Sequence, residues 1–326
     1  MHSELLNWFY QNKRNLPWRR GRTPYRVWVS EIMLQQTQVN TVIPYYKKWI
    51  KKYPTLKSFK ESNFDDVIKI WEGLGYYSRC HNMFNAAKLI NSTFPNNYDD
   101  LINLPGIGDY TAKTILAIAF KKNFVGIDTN LERIGYRILG LKTKTKRNKK
   151  RVVEYLEKNQ CANNPGDYNE ALMDLGSSLC KASITYCNQC PLKKICKAYT
   201  SSSPILYPTP KVPKKIPIYD IAVSVVEYQN KILITKRQNK NFLPGLWEFP
   251  GGKIEKNETA TQAIIREVKE ETNLTVSNPI FLGNITHKYS HFGVNISFFI
   301  SFPRSIKSFN SSQEYRWIRI KDILNY

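Results

Sequence analysis

The sequence predicts a multidomain chain: an all-α domain of about 198 residues followed by a smaller α+β domain. Three observations carry this. The chain has 326 residues, more than one hydrophobic core usually organises. Apolar residues recur at helical spacing through the first 198 positions, whereas beyond residue 217 they alternate or run in short β-branched and aromatic stretches. Between these regions lies a segment with Pro204, Pro208, Pro210, Pro213 and Pro217 and interspersed lysines, poor in core-forming residues.

Helical spacing appears in Val27 to Ile43, Phe64 to Leu74, Thr111 to Phe120 and Leu131 to Leu139. Pro54, Pro95 and Pro105-Gly106 punctuate these segments. Residues 199–217 read as a semi-extended linker. The domain at 218–326 then opens with two strands, Ile221 to Glu227 and Lys231 to Thr235, around the turn Gln229-Asn230. A helix is expected over about Thr259 to Thr272, with further strands at Ile296 to Phe302 and Tyr315 to Ile320. No internal repeat is visible.

There are 49 Lys and Arg against 26 Asp and Glu, a net charge of +23. That excess favours a polyanionic partner, because each cation placed beside a phosphate releases a counterion. Nucleic acid is the expected partner, and a membrane surface is not. The first residues lack an apolar h-region, and no run approaches the roughly 20 apolar residues of a membrane span. A soluble intracellular monomer, located with the chromosome, is the expectation. In such a compartment clustered cysteines point to metal rather than disulfides.

Cys180, Cys187, Cys190 and Cys196 form that cluster. Four thiolates on one short loop suit a cubane iron–sulfur cluster, which takes one cysteine per iron. Tetrahedral zinc is the alternative, although only Cys187 and Cys190 have the close CxxC spacing common in zinc sites. Cys80 and Cys161 lie outside the cluster. Upstream, Leu104-Pro-Gly-Ile-Gly-Asp-Tyr-Thr111 precedes an apolar helix. Gly106 and Gly108 would allow a tight turn with positive φ. The free N–H groups of the next helix would then hold a DNA phosphate without reading sequence. Gly126-Ile-Asp-Thr-Asn-Leu follows, and Asp128 would cap the helix beginning near Thr129.

The cysteine spacing, this hairpin and the Asp-bearing loop together resemble the endonuclease III superfamily of helix-hairpin-helix base-excision enzymes. The resemblance implies a [4Fe-4S] cluster acting mainly as a structural staple. Lys193 and Lys194, between its last two ligands, would be near DNA phosphates. Members that also cleave the backbone carry a lysine two residues after the second hairpin glycine, where its amine forms a Schiff base. Here that place holds Tyr110, and Lys113 would face elsewhere. A hydrolytic glycosylase is therefore expected.

Ser30-Glu-Ile-Met-Leu-Gln-Gln-Thr-Gln-Val39 narrows the resemblance. Trp28, Ile32, Val39 and Ile43 would form one apolar stripe, with Glu31, Gln35 and Gln38 on another face. This stretch, together with Trp71-Glu-Gly-Leu-Gly-Tyr-Tyr-Ser-Arg79, closely resembles the adenine DNA glycosylase (MutY) family. The resemblance implies excision of adenine mispaired with 8-oxoguanine or guanine in double-stranded DNA. It implies Glu31 as general acid and Asp128 as electrostatic stabiliser, with Tyr110 and Asn130 hydrogen-bonding around them. Gln35 or Gln36 would enter the base stack, and Leu74 and Tyr76 would wedge beside the opposing guanine.

In the second domain, Gly252-Lys-Ile-Glu-Lys-Asn-Glu258 and Arg266-Glu-Val-Lys-Glu-Glu271 resemble a Nudix box, with Asn273 replacing its late glycine. Glu267, Glu270 and Glu271 would share one helix face, suited to Mg²⁺. Fold and activity are separate matters, and the resemblance implies recognition of 8-oxoguanine rather than nucleotide hydrolysis. Ser290 and His291 match its guanine-contacting loop, and Tyr289 departs from the usual Phe. The retained glutamates leave a hydrolase activity open. Competing readings are a thymine mismatch glycosylase, a Nudix pyrophosphatase fused to a DNA-binding module, and a non-enzymatic damage sensor.

Overall fold

The computed structural model describes residues 1–91, 93–201, 203–210, 216–237, 245–289 and 292–326. The chain divides into two compact units, Met1–Val212 and Pro213–Tyr326.

The first unit is helical: α1 (His2–Asn12), α2 (Pro24–Leu34), α3 (Val39–Lys52), α4 (Leu56–Lys60), α5 (Phe64–Trp71) and α6 (Tyr77–Leu89) precede α7 (Tyr98–Ile102) and α8 (Asp109–Phe120). Then come α9 (Thr129–Leu139), α10 (Lys146–Lys158), α11 (Pro165–Ser178) and the short α12 (Lys197–Thr200). Local chemistry sets several starts. Thr23 accepts the Arg26 N–H at 3.3 Å, with Pro24 at the first helical position, and Asn63 accepts the Asp65 N–H at 2.8 Å. Two apolar cores hold the helices together. Trp28, Trp49 and Trp71 are fully buried, and the rings of Trp28 and Trp49 pack on that of Phe59. Leu5 and Phe9 of α1 meet Leu131 and Ile134 of α9 and Leu172 of α11.

Two helices differ from their expected spans. The continuous helix expected over Val27 to Ile43 is broken between α2 and α3, because Gln36 adopts a left-handed φ of 57°. The Gln38 carbonyl then accepts the N–H groups of Thr41 and Val42, starting a new helix. Gln35 and Gln38 therefore do not share one helical face with Glu31. The helix expected to reach Leu74 stops at Trp71, since Gly73 and Gly75 carry φ of 84° and 75°.

Part of the proline-rich stretch belongs to the first unit. The Arg137 Nε donates to the Tyr207 carbonyl at 3.0 Å, and the Thr209 N–H donates to the Lys142 carbonyl at 2.9 Å. Among the described residues, no helix is long and apolar enough to cross a membrane.

Among the described residues, the second unit is a mixed sheet with one α-helix. β1 (Ile218–Tyr228), β2 (Lys231–Lys236), β3 (Trp247–Glu248) and β4 (Gly251–Lys253) lead to α13 (Ala260–Thr272), followed by β5 (Val276–Lys288), β6 (Gly293–Pro303) and β7 (Tyr315–Ile318). β1 runs parallel to β6 and antiparallel to β2 and β4. Gln229 and Asn230 both take positive φ, at 51° and 59°, as a two-residue hairpin requires. β5 pairs antiparallel with β6. It escapes sequence reading because Ile280, Phe281, Leu282 and Ile285 are all exposed, so no alternation marks it. α13 opens on a capping box between Thr259 and Gln262. Ala263, Ile264 and Val268 bury one helix face against Ala222, Val226 and Phe299 of the sheet.

Candidate active site

Three elements of the first unit converge on a pocket of about 510 Å³. Its wall includes Glu31 from the last turn of α2, Tyr110 from the first turn of α8, and Asp128 and Asn130 at the start of α9. All four candidate catalytic residues thus border one space.

Glu31 is 5 % exposed. Burial pushes its carboxyl up to about 7, and the charges of Glu170 and Asp128 act in the same sense. The Tyr110 hydroxyl faces the same carboxyl and offsets part of that shift. Burial and the two facing carboxyls hold Tyr110 itself well above the ordinary tyrosine value. At neutral pH Glu31 is therefore substantially protonated, as a general acid must be.

Asp128 is held differently. It is the N-cap of α9, and its Oδ1 accepts the N–H groups of Asn130 and Leu131 at 2.8 and 2.7 Å. Its Oδ2 accepts the Asn130 side-chain amide at 2.8 Å. These three donors and the start of α9 hold the Asp128 side chain in one place on the pocket wall. Asn169, fully buried on α11, places the preceding loop: its Oδ1 accepts the Gly126 N–H at 2.8 Å, and its Nδ2 donates to the Phe124 carbonyl at 2.9 Å.

A basic and acidic layer behind the pocket escaped sequence reasoning. Arg14 and Arg19 grip Asp174, at 2.7 Å from Arg14 Nε and 2.8 Å from Arg19 Nη1. Arg22 Nη2 meets Glu170 at 2.7 Å. Arg14, Trp18, Arg19 and Glu170 line the pocket. Asn169, Glu170 and Asp174 lie among Ala171, Leu172 and Leu175 on α11, and all three are buried.

The predicted DNA-contacting residues lie on several corners of this unit. Gln35 donates from Nε2 to Thr111 Oγ1 at 3.3 Å, and the exposed Gln36 forms the left-handed corner after α2. Tyr76 also takes a left-handed φ, at 49°, and is partly exposed. Leu74 is 4 % exposed and turned into the fold, so it offers no free wedge in this conformation. Gly106 has a φ of 79°, and a Cβ there would come within 2.8 Å of Asn82. Gly108 corrects the expectation: it is extended, with φ −95° and ψ 178°, and serves as N-cap of α8. As a glycine, Gly108 brings no side chain to cap α8. Lys113 is engaged by Asp109 at 3.1 Å and Glu157 at 3.8 Å.

Cys180, Cys187, Cys190 and Cys196 ring a small pocket. Among the described residues no three His, Cys, Asp or Glu side chains converge as ligands of one ion would. The donor set nonetheless suits a polynuclear cluster: four thiols face a shared space, and Arg137 Nη1 donates to Cys180 Sγ at 3.1 Å. Arg133 joins this loop to the larger pocket. Its Nη1 donates to Asn130 Oδ1 at 2.9 Å, and its Nε and Nη2 donate to the Cys180 carbonyl at 3.1 and 2.9 Å. Lys193 lines the cysteine pocket, and Lys194 is exposed.

In the second unit, Arg266 binds Glu258 through two bonds of 2.9 Å, Glu267 at 2.8 Å and Glu270 at 3.3 Å. Burial, with Glu248 and Glu267 nearby, pushes Glu271 up to about 7. Asn273 explains itself: it is the left-handed C-cap of α13 at φ 56°, a place glycine or asparagine fills. Ser290 and His291 lie outside the described residues. Tyr289 packs edge-on against His287 with ring centroids 4.5 Å apart.

Residues 29–159 match the HhH-GPD superfamily base excision DNA repair protein family, and residues 222–326 match the NUDIX domain family. The adenine DNA glycosylase of Buchnera aphidicola subsp. Schizaphis graminum is 36% identical over 319 residues, covering 93% of this chain and 90% of that protein. The corresponding enzyme of Buchnera aphidicola subsp. Baizongia pistaciae is 32% identical, covering 98% and 91%. Among solved structures, a thermostable thymine-DNA glycosylase superposes with a TM-score of 0.57 at 25% identity, covering 61% of this chain and 95% of its own. With a helical base-excision unit, a NUDIX unit and relatives matched along nearly its whole length, this chain belongs to the adenine DNA glycosylase family.

Proposed function

We propose that this protein hydrolyses the N-glycosidic bond of adenine mispaired with 8-oxoguanine or guanine in double-stranded DNA and leaves the strand intact. One observation carries the reading: Glu31, pushed up to about 7, and the amide-bound Asp128 border the same pocket. Adenine is a poor leaving group as an anion. A proton from Glu31 to N7 weakens the glycosidic bond, and the carboxylate of Asp128 stabilises the oxocarbenium-like sugar that forms. The base must first leave the helix, which costs a few kcal/mol and is easier at a mismatch. Gln35, Gln36, Tyr76 and the amides after Gly106 and Gly108 would hold the duplex, with Leu74 following only if its turn opens. Ser290 and His291 would contact the oxidised guanine.

Tyr110 stands where a Schiff-base lysine would, and Lys113 is paired with Asp109 and Glu157, which supports a purely hydrolytic reaction. Cys180, Cys187, Cys190 and Cys196 would hold a [4Fe-4S] cluster. It would brace the loop that Arg133 and Arg137 tie to α9. Likeness to the thymine-DNA glycosylase keeps a thymine-excising reading in view, but the adenine-glycosylase relatives match far more of the chain.

Single-turnover incubation with a duplex carrying adenine opposite 8-oxoguanine, followed by alkali, tests the proposal. Abasic product without spontaneous breaks is expected, and Glu31→Gln should abolish release while leaving duplex binding. A borohydride-trapped adduct would contradict the hydrolytic reading. Release of thymine from a G:T duplex in place of adenine would replace it.

A further inference from the structure

We infer that Arg79 is a positioning residue that fixes the pocket wall carrying Glu31 by bonding the end of α2 to the turn before α6. This deepens the functional reading above. Arg79 is 8 % exposed and lies on α6, 48 positions beyond Glu31 in the chain. Its Nη1 donates to the carbonyls of Ile32 and Met33 at 2.9 and 2.8 Å, and to that of Gln35. Ile32 and Met33 belong to the final turn of α2 and Gln35 is its C-cap, where carbonyls have no helical N–H to accept. A cation there also complements the helix dipole. On its other side, Nη2 donates to Thr37 Oγ1 at 3.0 Å and to the Gly75 carbonyl at 3.1 Å. The guanidinium carbon lies 5.4 Å from the Trp71 ring centroid and 5.2 Å from that of Tyr76.

Both corners it joins are unfavourable by themselves. Gln36 and Tyr76 are non-glycine residues with φ of 57° and 49°, a left-handed conformation that side chains with a Cβ disfavour and that persists only when its surroundings impose it. The first corner is part of the pocket: Leu34, Thr37 and Gln38 line it beside Glu31. A planar fork with five donors can span both corners, whereas a lysine ammonium cannot. The placement of the acid thus depends on a side chain that does not reach the pocket.

Arg79→Lys keeps the charge and loses the span. In the full-length protein, single-turnover adenine release at saturating enzyme should slow by about 10²-fold. Hydrogen exchange of the free protein supplies a readout that a general loss of stability would not mimic. Exchange should rise in residues 34–38 and 73–77 together, with α8 to α11 unaffected. Unaltered exchange in either segment, or release at the normal rate, overturns the inference. Should R79K fail to fold, Thr37→Val removes a single acceptor. Faster exchange at 73–77 then supports the coupling, and unchanged exchange refutes it. Because exchange needs no substrate, a wild-type protein that releases no adenine would sink the functional reading while Arg79 was still decided.

Discussion

The side-chain amide of Asn130 donates to Asp128 Oδ2 at 2.8 Å, while its own oxygen accepts Arg133 Nη1 at 2.9 Å. One amide therefore fixes the pocket's carboxylate on one side and, through Arg133, the carbonyl of Cys180 on the other. Asn130→Ala leaves the backbone cap on Asp128 but frees Oδ2 and strips Arg133 of an acceptor. Single-turnover adenine release should fall by about 10²-fold, measured at saturating enzyme. A rate equal to wild type would show that Asp128 needs only its backbone donors.

With Glu31 as the proposed proton donor, its protonation sets a pH dependence. Its carboxyl is pushed up to about 7, and the acid must carry its proton to act. The single-turnover rate should therefore fall tenfold per pH unit above about 7, as the protonated fraction declines. A rate flat from pH 6 to 9 would place the proton elsewhere.

The same group makes a statement about stability. In the unfolded chain Glu31 would titrate near the ordinary 4.5, whereas the folded value is about 7. The folded state therefore binds this proton more tightly than the unfolded one. Its contribution is intact below pH 4.5 and is lost as pH rises through 7. Glu31→Gln mimics the protonated form, so the variant should gain about 2 to 3 kcal/mol over wild type at pH 7 to 8 and little at pH 4.5. Denaturant melts of the two proteins at both pH values would test this.

The four cysteines should bind iron. Protein purified without oxygen should carry about four irons and four sulfides per chain, the stoichiometry of a cubane cluster. Cys190→Ser should lose the metal and loosen the loop that Arg137 holds through the Lys181 carbonyl, seen as proteolytic nicking near 180–196. One zinc per chain would instead establish the tetrahedral alternative.

Much of the candidate site could be read from short-range patterns. Asp128 precedes an apolar-periodic segment as a helix cap does, and it caps α9. Gly106 stands where a left-handed turn is needed, and it takes that turn. Where spacing failed, it failed for physical reasons. Val27 to Ile43 has continuous helical periodicity, yet the chain turns at Gln36, where Arg79, far along the sequence, donates to the carbonyls of Met33 and Gln35. The exposed apolar residues of β5 carry no inside-outside alternation, so nothing local announced that strand.

The sequence by itself determined the two-unit order, the helix caps and the residue types able to carry the chemistry, since all of these act within a few positions along the chain. Only the tertiary structure decided that Glu31, Tyr110 and Asp128 share one pocket and that burial raises the first. It also supplied Arg14 and Arg19 against Asp174, and Arg79 beneath Gln35. Those contacts join residues from 44 to 160 positions apart. A carboxyl's desolvation and a guanidinium's acceptors depend on what surrounds them in space, which no local spacing encodes.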